Sequence, residues 1–284
     1  MSTAPASPVQ RLRLRRILRD HRSRLELTQE QVATAMDWSL SKVIRIEKGE
    51  VGISVNDLRA LLELYAVDEK DPLIELARTA RKSPWWNSLR DQMSLSYLYY
   101  VGLEASASHV SHFQGTIVPG LLQTMDYAKQ AVIGTLPVPI SDAAVSARLE
   151  IRQHRQEDFF GQDHPPELAV ILDEAVVRRV VGSPAIWRGQ LMHLLEMGTR
   201  ARLTIQMVPF ARGIHPGHIG PFILTDFDDE LPSMVYLEGP RDDSTSDRPD
   251  DVALYRSTFD RLRSMALSPD ETSDFIRRAA SELD

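Results

Sequence analysis

The sequence predicts an α+β protein: an all-α head of five helices, then a larger α+β domain built on a small, mostly antiparallel sheet. Three observations carry this. Over the first 80 or so residues, apolar side chains recur at helical spacing between polar caps. From Leu168 onward, short apolar runs appear, bounded by Gly, Pro or acidic turns, as strands are. Charged helical stretches lie between and after those runs, so the second part combines helices with a sheet.

In the head, Thr28 is an N-cap and Gln31, three residues on, completes a capping box, so a short helix starts there and runs through Val32, Ala33 and Met36. Asp37 and Trp38 break its pattern. Ser39 is a second N-cap, and Val43 and Ile46 repeat the i, i+3 spacing before Gly49 stops the next helix. Two short helices with so tight a joint cross steeply. Stepping about 100° per residue along the second puts Leu40, Ser41, Ile44, Arg45 and Lys48 on one face, with Val43 and Ile46 directed at the core. Ser54 caps a further helix through Leu58, Leu61, Leu62 and Tyr65, and the stretch from Glu69 to Lys82 turns Leu73, Leu76 and Ala77 inward. Ser83-Pro84-Trp85-Trp86-Asn87 reads as a boundary, because proline disfavours helix in the residue before it. The expected organisation is a head over 1–82, a linker over 83–99 and a second domain over 100–284.

Beyond the linker, 104–114 and 119–132 read as helices and 141–160 as a long charged one. Leu168 to Leu172 reads as a buried strand, followed by helices at 174–181 and 184–199, the latter opened by Ser183 as N-cap and Pro184 at the first helical position. Leu203 to Val208, Pro221 to Phe227 and Ser233 to Glu238 are strand-like, and helices at about 250–266 and 269–282 close the chain. Arg241 to Asp251 reads as an acidic loop.

The outward face of the head's third helix has a base-reader's chemistry. Arg45 can fork onto guanine O6 and N7, Ser41 can bond a base edge, and Leu40 can touch a thymine methyl, while Gln29, Lys42 and Lys48 suit phosphates. A helical protein-interaction module with a solvated basic face is the competing reading. The segment resembles the Xre, or phage-repressor-like, helix-turn-helix family through Leu27, Thr28, Gln29, Ala33, Trp38, Ser39, Ser41, Lys42, Arg45, Ile46, Glu47 and Gly49, over about residues 9 to 66. That resemblance implies five helices. It also implies that Gln29 and Ser39 clamp the DNA backbone, that residues 40, 41 and 45 face bases, and that Arg22 pairs with Glu47. Glu26 departs from the family's usual glycine. A left-handed residue there costs about 1 kcal/mol without glycine, so a longer or differently ended first helix is expected.

Charge distribution agrees with a DNA-facing head. Residues 1–50 hold ten Lys and Arg against six Asp and Glu, a balance of +4, whereas the chain as a whole stands at −7, leaving −11 on the other 234 residues. The 284-residue chain contains no cysteine, which excludes disulfides, thiolate nucleophiles and Cys-type zinc sites. No apolar run approaches the roughly 20 residues of a membrane span, and the first residues lack a secretory core. A cytoplasmic protein with no membrane association is expected.

The second domain also carries a resemblance. Glu104-Ala-Ser-Ala, Val118-Pro-Gly-Leu-Leu-Gln-Thr124, Arg152-Gln153, Leu172-Asp-Glu-Ala175, Gln190-Leu191, Val208-Pro-Phe210 and Phe259 look like the C-terminal domain of the actinobacterial WhiJ-like regulators, over roughly residues 100 to 280. This implies a transcriptional regulator, often encoded beside a small partner protein in an antitoxin-like arrangement. Its expected partners are double-stranded DNA, a second copy as a homodimer, and a small partner protein or small-molecule effector. No cofactor is expected.

Other constellations were weighed for chemistry. There is no Gly-x-Ser-x-Gly, His-Glu-x-x-His, phosphate loop or dinucleotide fingerprint, so no catalytic residue is assigned and the chain is read as a non-enzyme. An enzyme or toxin-type activity in the second domain, targeted by the head, is the alternative. His109 and His112 would share a helix face with Glu104 nearby, as a metal site or simply a polar face; no metal is assigned. His215-Pro-Gly-His218 sits in a loop between strands, either lining a pocket or merely connecting. Arg148, Arg152 and Arg155 form one face of the long helix, suited to an acidic ligand or partner or to surface salt bridges. His215, His218, Arg152 and Arg155 are thus the candidate ligand or partner site. Asp173 and Glu174 favour the start of their helix, and the Val118–Thr124 amides either receive an anion or serve helix packing.

Overall fold

A computed structural model describes residues 7–48, 51–80, 93–104, 106–135, 139–228, 231–239 and 243–283. The chain divides into two compact units, Met1–Asn87 and Ser88–Asp284. The division falls inside the segment read as a linker. Of that segment, 83–92 lies outside the described residues, and so do the tryptophan pair and Gly49.

The head is all-α, with α1 (Ser7–Arg24), α2 (Gln29–Ala35), α3 (Leu40–Lys48), α4 (Val55–Leu64) and α5 (Asp71–Ala80). Its core gathers Leu14 and Leu18 of α1, Val32 and Ala33 of α2, Val43 and Ile46 of α3, Leu58, Leu61 and Leu62 of α4, and Ile74 and Ala77 of α5. The α2 capping box forms: Thr28 Oγ1 accepts from Gln31 N at 3.1 Å, and Gln31 Oε1 accepts from Thr28 N at 2.8 Å. Ser54 caps α4 by accepting from Asp57 N.

Three helices of the head end alike. After α1, Leu27 N donates to Arg22 O and Glu26 N to Ser23 O; after α2, Trp38 N donates to Ala33 O and Asp37 N to Thr34 O; after α4, Val67 N donates to Leu62 O and Ala66 N to Glu63 O. This is the Schellman pattern, and the residue in its left-handed position is Glu26 (φ 55°), Asp37 (φ 53°) or Ala66 (φ 51°), never glycine. The expectation of a longer or differently ended first helix is therefore corrected. α1 closes as a glycine-ended helix would, because two backbone bonds and the inward packing of Leu27 hold Glu26 in the left-handed region.

The second unit is built on a six-stranded mixed sheet in the order β3-β2-β1-β4-β5-β6. Its strands are β1 (His109–Gln114), β2 (Glu167–Asp173), β3 (Leu203–Val208), β4 (Phe222–Asp226), β5 (Met234–Leu237) and β6 (Ser244–Ser246). β1–β2 and β2–β3 are parallel, whereas β1–β4, β4–β5 and β5–β6 are antiparallel. Around the sheet lie α6 (Leu95–Glu104), α7 (Met125–Thr135), α8 (Asp142–Phe160), α9 (Glu174–Arg178), α10 (Pro184–Met197), α11 (Pro249–Met265) and α12 (Pro269–Ser281).

Three readings are corrected. Residues 104–114 are not a helix: α6 ends at Glu104 and β1 occupies His109–Gln114, so His109 and His112 do not share a helix face. Its polar residues hid it, since Ser111, His112 and Gln114 are all buried and leave no apolar–polar alternation to read. α6 begins within the segment read as linker, and β6 lies inside the stretch read as an acidic loop.

Register assigns side chains to the two faces of the sheet. His112 is opposite Ile223 of β4, which is opposite Tyr236 of β5, so these share one face; there Tyr236 stacks on Tyr100 of α6 with ring centroids 4.4 Å apart. Phe113, Ile171 and Phe222 share the other face and pack with Phe259 and Leu262 of α11.

Candidate nucleic-acid interface and the polar sites of the second unit

On α3 the buried and exposed residues separate as a reader helix requires. Val43 and Ile46 are in the core, while Ser39, Leu40, Ser41 and Arg45 are exposed and Ile44 and Lys42 half-buried. An exposed leucine at the start of a polar face is available for contact with a base methyl. Ser39 Oγ accepts from Lys42 N at 3.2 Å and so starts the helix. Lys42 bends back, its Nζ 3.2 Å from Asp57 Oδ2 and 3.8 Å from the Trp38 ring centre. For Lys48, the helix backbone is described and the side chain is not.

The helix is held from behind. Arg22 Nε donates to Glu47 Oε1 at 2.6 Å and Nη2 to Glu47 Oε2 at 3.0 Å, while Nη1 donates to Leu27 O at 2.8 Å. Gln29 Nε2 donates to the same Glu47 oxygen at 2.8 Å, which ties the start of α2 to the end of α3. The Glu47 carboxylate raises the Arg22 guanidinium above its ordinary range, chiefly through that hydrogen bond and against the effect of burial. One buried carboxylate thus fixes three segments of the head.

In the second unit, the four candidate ligand residues fall on opposite faces of the sheet. Arg155 belongs to the His112 face. Its Nε and Nη2 donate to the two oxygens of Glu104, each at 2.8 Å, and its Nη1 to Tyr97 Oη at 2.7 Å. Tyr100 Oη bonds Glu104 as well. Burial works against the Arg155 charge, but Glu104 and the tyrosines offset it and hold the guanidinium well above its ordinary range. The same burial, with Arg155 adding to it, pushes His112 down to about 3, so its ring is neutral at any ordinary pH. The arginine face of α8 is therefore not a solvated one at this position.

Arg152 serves the neighbouring loop. Its Nη1 donates to Gln123 Oε1, whose amide donates to Val118 O. Gln156 Nε2 donates to Gly120 O at 2.9 Å and Gln123 O at 2.8 Å, and Gln190 takes Thr124 N and gives to Leu122 O. Val118 N donates to Tyr127 Oη at 3.0 Å. The amides of Val118 and Thr124 thus have internal partners, and the loop is a clamped structural joint. A Cβ on Gly120 would lie 3.4 Å from both Arg152 Nε and Arg155 Nη1, which explains a glycine between the two guanidiniums.

On the opposite face, His215 Nε2 lies 2.9 Å from Asp173 Oδ2 and its ring meets Phe113 edge-on at 5.8 Å. Asp173 also caps α9 by accepting from Ala175 N at 2.7 Å, and Glu174 accepts from Phe210 N at 2.7 Å. His218 Nδ1 is 3.1 Å from His215 O. A Cβ on Gly217 would lie 2.3 Å from Phe113 Cζ, so the loop between the histidines can close only with glycine there. Three exposed apolar residues, Phe210, Ile214 and Ile219, stand on this same loop. His215 and His218 come together; Arg152 and Arg155 come together; the two pairs do not meet.

Sequence reasoning missed Tyr97, Tyr100, Gln123, Gln156 and Gln190. The available signal was a set of glutamines in otherwise helix-packing positions, where a buried amide needs backbone partners. Among the described residues, no group of three or more His, Asp or Glu is placed to hold a metal ion, and no helix is long and apolar enough to cross a membrane.

An exposed reader helix braced from behind makes the head a helix-turn-helix DNA-binding module, and residues 13–73 match the family described as helix-turn-helix domain. Residues 97–278, more than half the chain, match the family described as domain of unknown function (DUF5753), and the chain belongs to that family. No curated protein and no solved structure matches it significantly.

Proposed function

We propose that the protein is a sequence-specific transcriptional regulator of the Xre type, in the WhiJ-like arrangement, whose second unit receives a small partner protein or a small-molecule effector. The observation that carries this is α3: Leu40, Ser41 and Arg45 face outward while Val43, Ile46 and Glu47 anchor the opposite side. Arg45 reads a guanine, and Ser39, Gln29, Lys42 and Lys48 engage phosphates. One such module offers a single reader helix, so a homodimer on two half-sites spaced by helical turns supplies the affinity. A regulator of this kind works in the cytoplasm with the DNA it reads.

For the partner, the His215–His218 loop is the favoured surface. Phe210, Ile214 and Ile219 on that loop are 56, 83 and 72 % exposed, and clustered exposed apolar side chains mark protein contacts. An antitoxin-like pairing with a small protein fits that surface. The test is selection of duplexes from a random-sequence pool by the full-length protein, then anisotropy of the selected and scrambled duplexes over a salt series. A shared motif bound at least about a thousandfold better than scrambled duplex supports the reading. Equal binding of both sinks it.

A further inference from the structure

Between α1, the end of α5 and the segment after α3, the head encloses a cavity of about 150 Å³. Leu14, Leu18, Ile46 and Ile53 form its apolar walls, each at most 6 % exposed, so the space lies within the core. Its two charged lining residues are Arg11 and Arg15, and no Asp or Glu lines it. Arg11 Nε donates to Ala80 O at 2.9 Å, which fixes that guanidinium at the rim where α5 ends. An apolar cavity of about this volume stays dry and accepts a benzene-sized molecule. Guanidinium groups beside it add a preference for a carboxylate, which they bind through paired, charge-assisted hydrogen bonds.

We infer that this cavity binds a small monocarboxylic acid with a compact apolar body, an aromatic or branched acid, with the body against Leu14, Leu18, Ile46 and Ile53 and the carboxylate on Arg11 and Arg15. This goes beyond the reading above, which places the effector or partner on the second unit. Its position gives it a route to DNA binding. Ile46 is a wall of the cavity, and the next residue, Glu47, carries the hydrogen bonds that hold the reader helix to Arg22.

The experiment uses the full-length chain with benzoate as the probe and benzyl alcohol as its uncharged counterpart, followed by calorimetric titration and by methyl-resolved NMR. Benzoate is expected to bind saturably, with the largest shifts at the methyls of Leu14, Leu18, Ile46 and Ile53. Arg11→Gln combined with Arg15→Gln is expected to weaken benzoate about tenfold or more while changing benzyl alcohol less than about threefold. Ala80→Leu, which fills the space, is expected to weaken both about tenfold. The inference is overturned if those methyls show no saturable shift at about 10 mM benzoate, where a ligand of this size and ordinary efficiency is bound. It is also overturned if the arginine double variant or Ala80→Leu binds benzoate as the wild type does. Should Ala80→Leu fail to fold, the wild-type shifts and the arginine variant decide. Selection of a DNA motif without any probe is scored separately, so loss of the cavity site leaves the DNA-binding reading standing.

Discussion

Arg22 and Glu47, 25 residues apart, form a two-point ion pair at 2.6 and 3.0 Å that joins the first helix to the reader helix. Glu47 is 5 % exposed, so its charge depends on that partner. Arg22→Ala is expected to destabilise the head by about 3 kcal/mol or more, because it strands a buried carboxylate. Arg22→Met together with Glu47→Leu should recover most of the loss. Urea unfolding of the two variants, read by hydrogen exchange of the head amides, compares them directly.

Base reading by Arg45 predicts a change in preference rather than a uniform loss. Arg45→Ala is expected to weaken the selected site by about 1 to 3 kcal/mol and to flatten discrimination at one base pair, whereas Lys42→Ala weakens all duplexes alike and lowers the salt slope by about one. A competition series with single-base variants of the site measures both. Undiminished discrimination by Arg45→Ala would remove it from the reader face.

The Schellman ends of α1 and α4 hold Glu26 and Ala66 in the left-handed region. Glu26→Gly and Ala66→Gly relieve a strain of about 1 kcal/mol each, offset in part by the greater freedom of glycine in the unfolded chain. Each is expected to raise the midpoint of denaturant unfolding slightly, by about 0.5 kcal/mol. A lowered midpoint in both would refute the account of these helix ends.

His112 makes the second unit sensitive to acid. Its folded value of about 3 lies below the ordinary histidine value of 6.5, so the unfolded chain binds one more proton between the two. The contribution is complete above about pH 6.5 and is lost as pH falls toward 3, at up to about 1.4 kcal/mol per pH unit. His112→Gln should fall less steeply than the wild type between pH 6.5 and 4. Parallel curves in urea unfolding across that range would overturn the assignment.

Much of this was legible because local rules and tertiary structure agree. The Thr28–Gln31 box, the Ser39, Ser54 and Ser183 caps and the apolar strands β2 to β5 stand close to where the sequence placed them, since each signal is a local hydrogen bond or a periodic pattern. β1 was illegible because its buried polar residues are satisfied by partners distant in sequence: His112 lies at Arg155's face and Gln114 bonds the turn at Gly115 and Thr116. Arg155 looked like a surface charge for the same reason. Its partner Glu104 is 51 residues away, and no spacing rule links them. The Arg22–Glu47 bridge was implied by family resemblance alone.

The strand order also bears on how the chain is made. β1 lies between β2 and β4, and its pairing of His109 with Asp226 joins residues more than a hundred positions apart. A ribosome adding about 5 to 20 residues per second emits the whole head, then β1, and delivers β4 roughly 5 to 20 seconds later. Through that interval one edge of β1 has no neighbour, while the head already has every helix of its core. A nascent chain stalled before β4 would therefore expose a folded DNA-binding head on a half-built sheet, and this stage of synthesis is where a chaperone has most to do.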